Sequence, residues 1–95
     1  FVINIMKEKD HKSMIKILSP LAKKVIIFKS KNPRSALPED LYLEWLNFID
    51  GSKIKIMDDL SKIISEIKKE KFVCFTGSLY FAGEVLEFLN EKKYF

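Results

Sequence analysis

The chain has 95 residues, 47% hydrophobic and 32% charged, with three glycines, three prolines and one cysteine, which excludes a disordered or low-complexity chain and an internal disulfide. No apolar run reaches the roughly 18 residues a membrane span needs. The net charge of +4 is almost entirely lysine, spread as at Lys7, Lys23, Lys53, Lys68 and Lys92 without an arginine and aromatic stripe, so it reads as a solvated surface and makes nucleic acid an unfavoured partner.

Residues 1–95 read as a single domain, which at this size buries only about 60 to 65% of its unfolded surface. Cys74 lies in a hydrophobic run and no secretory leader is visible, which suits a reducing cytoplasm. Because Phe1 opens directly on a buried-looking strand, the chain reads as a piece of a longer polypeptide, with a sheet edge that other chain would cover.

The first strand is expected over Phe1 to Met6. Asp10 then caps a helix with Met14, Ile15, Ile17, Leu18 and Leu21 on one broad face, ended near Pro20. Val25 to Phe28 is the second strand. A loop from Lys29 to Ser35 leads to a helix with Pro38 in its first turn, Glu39 and Asp40 at its positive end, and Leu41, Trp45, Phe48 and Ile49 on its apolar side. Asp50-Gly51-Ser52 stops it.

A short third strand is expected around Ile54 to Met57, and Asp58 or Asp59 caps a helix in which Leu60, Ile63, Ile64 and Ile67 recur at helical spacing. Phe72 to Phe75 is the fourth strand, and the last helix runs from about Leu79 toward Leu89 before a lysine and aromatic tail, Lys92 to Phe95. Strands alternating with helical stretches predict an α/β fold, a mostly parallel sheet with crossover helices. In such a sheet ligands bind outside the carboxyl ends of the strands, so Lys9, Asp10, Arg34, Asp58 and Ser78 are expected to converge on one edge.

Thr76 closes the fourth strand, and Gly77-Ser78 forms a two-residue turn into the last helix. Gly77 permits a tight turn and Ser78 occupies an N-cap position, so the first helical amides emerge beside a hydroxyl, an arrangement that attracts an anion. Ser78 serves either as a plain cap, worth about 1 kcal/mol, or also as a donor to a carboxylate or phosphate. Arg34 is the sole arginine among 17 basic residues, and its planar fork suits a carboxylate. Lys9 and Asp10 are either a cap and its neighbour or groups that face a ligand cleft. His11, alone in a first helical turn, is expected to be solvated. One histidine and one cysteine give no metal constellation. Gly51, Gly77 and Gly83 precede Ser, Ser and Glu, which excludes a P-loop.

Gly77-Ser78-Leu79-Tyr80 after an apolar strand, followed by Ala82-Gly83-Glu84-Val85, resembles the C-terminal end of folylpolyglutamate synthases and bifunctional dihydrofolate synthases. Lys9-Asp10 after the first strand, with Met14 in the following helix, and Pro33-Arg34 after the second agree in order and spacing, so the likeness covers nearly the whole chain. It implies the Rossmann-like, three-layer C-terminal domain of an ATP-dependent amide ligase, with helices on both faces of the sheet. In that family ATP converts a folate or dihydropteroate carboxylate to an acyl phosphate, which the amine of L-glutamate attacks.

The resemblance further implies that Mg²⁺ and the P-loop belong to an N-terminal ATPase domain of the same polypeptide. Ser78 and Arg34 would hold the incoming glutamate, and Lys9 and Asp10 would face the interdomain cleft or nucleotide. Ser35 stands before Ala36 where the family has Pro-Arg-Ala, and the family's Asp-Gly-x-His-Asn segment is not present. Alternatives are a muramyl ligase domain, which Asn32-Pro33-Arg34-Ser35 resembles, and a non-catalytic basic α/β binding module.

Overall fold

The computed structural model describes residues 1–91. Their four strands form one sheet in the order β3-β2-β1-β4, with β1 Val2–Ile3, β2 Val25–Phe28, β3 Ile54–Met57 and β4 Phe75–Thr76. Every pairing is parallel: Val2 lies opposite Ile26 and Phe75, and Val25 opposite Ile54. Helices α1 His11–Leu18, α2 Pro38–Trp45 and α3 Leu60–Ile67 make the crossovers, and α4 Leu79–Glu91 follows the last strand.

Alternation along the strands divides the core in two. Ile3, Val25 and Ile27 point to one face, where Ile15 of α1 and Leu41 and Trp45 of α2 pack against them. Val2, Ile26 and Phe28 point to the other, against Ile63 of α3 and Phe81 and Val85 of α4. Phe28 and Phe81 stack with ring centroids 5.3 Å apart. Because each strand of the central pair is covered on both sides, β1 and β2 read as continuous apolar runs, as parallel strands do. The three-layer α/β fold with helices on both faces is therefore as expected.

Local signals account for the helix boundaries. Asp10 caps α1, one carboxylate oxygen accepting from the Ser13 amide at 3.1 Å and the other from its hydroxyl at 2.7 Å. Pro20 lies in a tight helical turn over Ser19–Leu21 that ends the element. Pro38 opens α2, and Asp59 caps α3 by accepting from the Ser61 amide at 2.8 Å.

Several expectations are corrected. The paired part of β1 is shorter than Phe1 to Met6, because the chain beyond Asn4 turns its hydrogen bonds to the loop after β2: Ala36 N–H donates to the Ile5 carbonyl and Lys7 N–H to that of Arg34. β1 is also an interior strand and not an edge. Ile17 and Leu21 are 73% and 75% exposed, outside the buried face that Ile15 anchors. Regular helix in α2 stops at Trp45, and Phe48, in the turns that follow, is 43% exposed. β4 begins at Phe75; Phe72 is 92% exposed and Cys74, immediately before the strand, is exposed as well. The expected tail at Lys92 to Phe95 lies outside the described residues. Among the described residues no helix is long and apolar enough to cross a membrane.

Candidate functional site

All four strands run the same way, so their following loops share one edge of the sheet. The order β3-β2-β1-β4 sets a topological switch point between β1 and β4: the chain winds outward from β1 through β2 to β3, then crosses back to the far side of β1. In this architecture ligands bind outside the strand ends at such a point, which here lies between the loop from Asn4 to Asp10 and the turn Gly77-Ser78.

Asn4 joins the loops. It is 2% exposed, and its side-chain amide N–H donates to the Phe28 carbonyl at the end of β2 at 3.1 Å. Its side-chain oxygen accepts from the Ser35 hydroxyl at 3.2 Å. Its backbone amide donates to the Thr76 carbonyl, and its own carbonyl stands against Gly77, where a Cβ would lie only 2.4 Å away. Gly77 has φ of 109°, a conformation side chains other than hydrogen rarely permit. Arg34 and Ser78 are thus each the neighbour of a residue that touches Asn4. Composition gave no hint of this role, but a lone asparagine within Phe-Val-Ile-Asn-Ile-Met was a usable signal: a polar group buried in a strand must find partners. Replacing Asn4 by alanine should lower stability by about 2 kcal/mol, because the Phe28 carbonyl and Ser35 hydroxyl lose their partner inside the protein. Chemical denaturation measures this.

The Arg34 loop is built by short-range bonds. Arg34 N–H donates to the Asn32 side-chain oxygen at 2.9 Å, Asn32 N–H to the Ser30 hydroxyl at 3.0 Å, and Ser35 forms an antiparallel bridge with Met6. The arginine Nη2 donates to a Glu8 carboxylate oxygen at 2.6 Å, tying the two loops together. Glu8's own backbone amide, then the Arg34 guanidinium, hold its carboxyl below the usual glutamate range. The pair is more than two-fifths exposed on both sides, so its contribution to stability is small and its consequence is to place the guanidinium beside the Lys9-Asp10 turn.

Asp10 spends both oxygens on Ser13, and the Ser13 hydroxyl and amide hold its carboxyl below the usual aspartate range. A depressed carboxyl stabilises the fold above its unfolded pKa and ceases to do so as pH falls through its folded pKa. The α1 terminus should therefore fray only at pH below the ordinary aspartate range, and Asp10→Ala should remove that acid step from the helical circular dichroism signal. Lys9 is exposed, with its amide closing a turn onto the Met6 carbonyl. His11 is half-buried rather than solvated, and its shielded Nδ1 makes no hydrogen bond among the described residues.

Ser78 caps α4: its oxygen accepts from the Phe81 amide at 3.3 Å, and its carbonyl accepts from Ala82 N–H. The half-buried hydroxyl keeps its hydrogen for another acceptor. Asp58 does not join this group. It follows β3, the opposite edge strand, three strand spacings or about 14 Å from β4. The candidate site therefore comprises Arg34 and Ser78, each beside a residue that touches Asn4, with Lys9 exposed in the adjoining loop, Glu8 paired to Arg34 and Asp10 bonded to Ser13. A guanidinium, an ammonium and a hydroxyl are donor types that a carboxylate accepts from. Among the described residues no group of three or more His, Cys, Asp or Glu side chains gathers as metal ligands would.

The fold matches that of folylpolyglutamate synthase from Mycobacterium tuberculosis in its complexes with ADP and AMPPCP, with a TM-score of 0.73 and 18% identity, over 92% of this chain and 22% of that one. A structure of the same synthase complexed with ADP matches with a TM-score of 0.60 and 20% identity, over 68% of this chain and 14% of that one. This chain thus spans less than a quarter of the length of those chains, and at such identities the likeness is one of fold. No protein-family model matches the sequence, and no curated protein does.

Proposed function

We propose that this chain is the glutamate-holding C-terminal domain of an ATP-dependent ligase that joins L-glutamate to a folate or to dihydropteroate. The observation that carries the reading is the agreement between fold and site. The chain's fold is shared over 92% of its length with part of a folylpolyglutamate synthase, and Lys9, Arg34 and Ser78 lie in loops that follow parallel strands at one edge of the sheet.

Arg34 and Ser78 bind and orient the glutamate carboxylates, and Lys9 adds positive charge at the same edge. The gain is one of positioning: a nucleophile held in line with its target needs no further entropy loss to react. The sequence has no glycine-lysine turn, so ATP and Mg²⁺ are taken to bind mainly through an N-terminal domain of the same polypeptide, with Lys9 and Asp10 facing the interdomain cleft or the nucleotide. No step at the nucleotide is assigned to this chain.

The substrate side of the reading is tested by amino-acid discrimination. Full-length protein supplied with ATP, Mg²⁺ and folate or dihydropteroate should form an amide with L-glutamate and not with L-alanine or L-lysine. Equal use of alanine would favour a muramyl-ligase-like activity, and no product from any amino acid would overturn the ligase reading.

A further inference from the structure

The loop that carries Arg34 is joined to the loop after β1 by bonds of two kinds. Backbone bonds run from Ala36 N–H to the Ile5 carbonyl at 2.7 Å and from Lys7 N–H to the Arg34 carbonyl at 2.8 Å, and side chains of many types would allow them. Two further contacts depend on residue identity: Glu8 with the Arg34 guanidinium, and Asn4 with the Ser35 hydroxyl. The Glu8 pair is exposed to water, which weakens it. Asn4 is 2% exposed, so a bond made there meets no competing solvent.

The chemistry of Asn4 fixes what each of its atoms does. The Phe28 carbonyl can only accept, so the side-chain NH2 faces it at 3.1 Å, and the side-chain oxygen is left to accept from the Ser35 hydroxyl at 3.2 Å. Ser35 thereby commits its one hydroxyl hydrogen to Asn4. The backbone of the same residue holds the other half of the site. Its N–H donates to the Thr76 carbonyl at 3.2 Å, and its carbonyl abuts Gly77, the residue before Ser78. An aliphatic side chain at this position would fill the space without the cost of burying an amide, but it could link nothing. What the amide supplies is a fixed relation between the end of β2, the Arg34 loop and the turn before α4.

We propose that Asn4, acting through Ser35, is a positioning residue for the glutamate site, holding the Arg34 loop in register with the Ser78 turn. The inference rests on the reading of Arg34 and Ser78 as the groups that bind glutamate. Asn4 itself is buried, and its effect on the ligand passes through Arg34.

The test is kinetic, on full-length protein supplied with ATP, Mg²⁺ and folate or dihydropteroate. Ser35→Ala removes the side-chain bond and leaves the backbone bonds of Lys7 and Ala36. It should raise the glutamate KM by about threefold to tenfold, the effect of one neutral hydrogen bond, with the ATP KM within about twofold. Ser35→Thr keeps the hydroxyl and should keep the wild-type KM. Added to Arg34→Ala, Ser35→Ala should raise the glutamate KM by less than about twofold more, because a residue that works through Arg34 then has nothing left to position. A purely structural role would lower the amount of active protein and leave both KM values where they are. Asn4→Ala should raise the glutamate KM as well, but it also lowers stability, so Ser35→Ala decides. A glutamate KM raised in Arg34→Ala and unchanged in Ser35→Ala would overturn this inference and leave the glutamate reading standing. Equal rises for glutamate and ATP, or a fully additive loss in the double variant, would overturn it too. An unchanged glutamate KM in Arg34→Ala would overturn the glutamate reading, and this inference with it.

Discussion

Alanine at position 34 of the full-length protein should raise the KM for glutamate by about tenfold to a hundredfold while the KM for ATP stays within about twofold. The range follows from losing a charge-assisted hydrogen bond to a carboxylate, about 1.5 to 3 kcal/mol. The backbone fixes where the arginine stands: Asn32 holds its amide at 2.9 Å, Lys7 N–H bonds its carbonyl at 2.8 Å, and Glu8 anchors one guanidinium nitrogen. A carboxylate arriving at this edge would meet a guanidinium whose position the loop already sets. Arg34→Lys keeps the charge but loses the fork, and should recover only part of the affinity. Ser78→Ala should raise the glutamate KM less, by about threefold to tenfold, in line with one neutral donor lost. It also removes the α4 cap to Phe81, so the split between glutamate and ATP, rather than overall activity, is the informative readout. Unchanged glutamate kinetics in both variants would remove the proposed site.

Replacing Gly77 by alanine should be the most destabilising of the substitutions considered, by about 3 kcal/mol or more. Two costs combine. A φ of 109° is strained for any residue with a Cβ, and the Cβ would meet the Asn4 carbonyl oxygen at 2.4 Å and an Ile5 side-chain carbon at 3.0 Å. The first obstacle is backbone immediately after the interior strand β1, held to β4 by the Asn4 N–H bond to the Thr76 carbonyl, so it cannot yield without disturbing that junction. For a domain of this size the loss corresponds to a fall in Tm of about 12 to 24 °C. Gly83→Ala is the matched control, since nothing lies within 4 Å of a Cβ built there, and exchanging glycine for alanine inside a helix is favourable. A Gly77→Ala protein that melts with the wild type would show that the turn relaxes.

The elements most legible in the sequence were those marked by strong local signals. Val25 to Phe28 and Ile54 to Met57 are bounded by polar residues and appear with the expected limits. Leu60, Ile63, Ile64 and Ile67 at helical spacing define α3. The first and fourth strands were harder to delimit, because their apolar runs continue past the residues that pair. Phe72 is as hydrophobic as Phe75, yet the ladder with β1 begins only at Phe75, and no local pattern separates them. Strand order was not legible, since pairing across the sheet is a long-range property, and it is the order that moved Asp58 away from Ser78. Lys9, Arg34 and Ser78 were visible as residue types in loops after strands. The Glu8 contact to Arg34 spans 26 positions and the Asn4 contact to Ser35 spans 31, separations that periodicity cannot encode.

The most direct measurement of the central claim is a crystal structure of the full-length protein with L-glutamate bound. The amino acid is expected at the switch point between β1 and β4, with a carboxylate within hydrogen-bonding distance of the Arg34 guanidinium and of the Ser78 hydroxyl. Glutamate bound away from this edge, with Arg34 and Ser78 making no contact to it, would contradict the account.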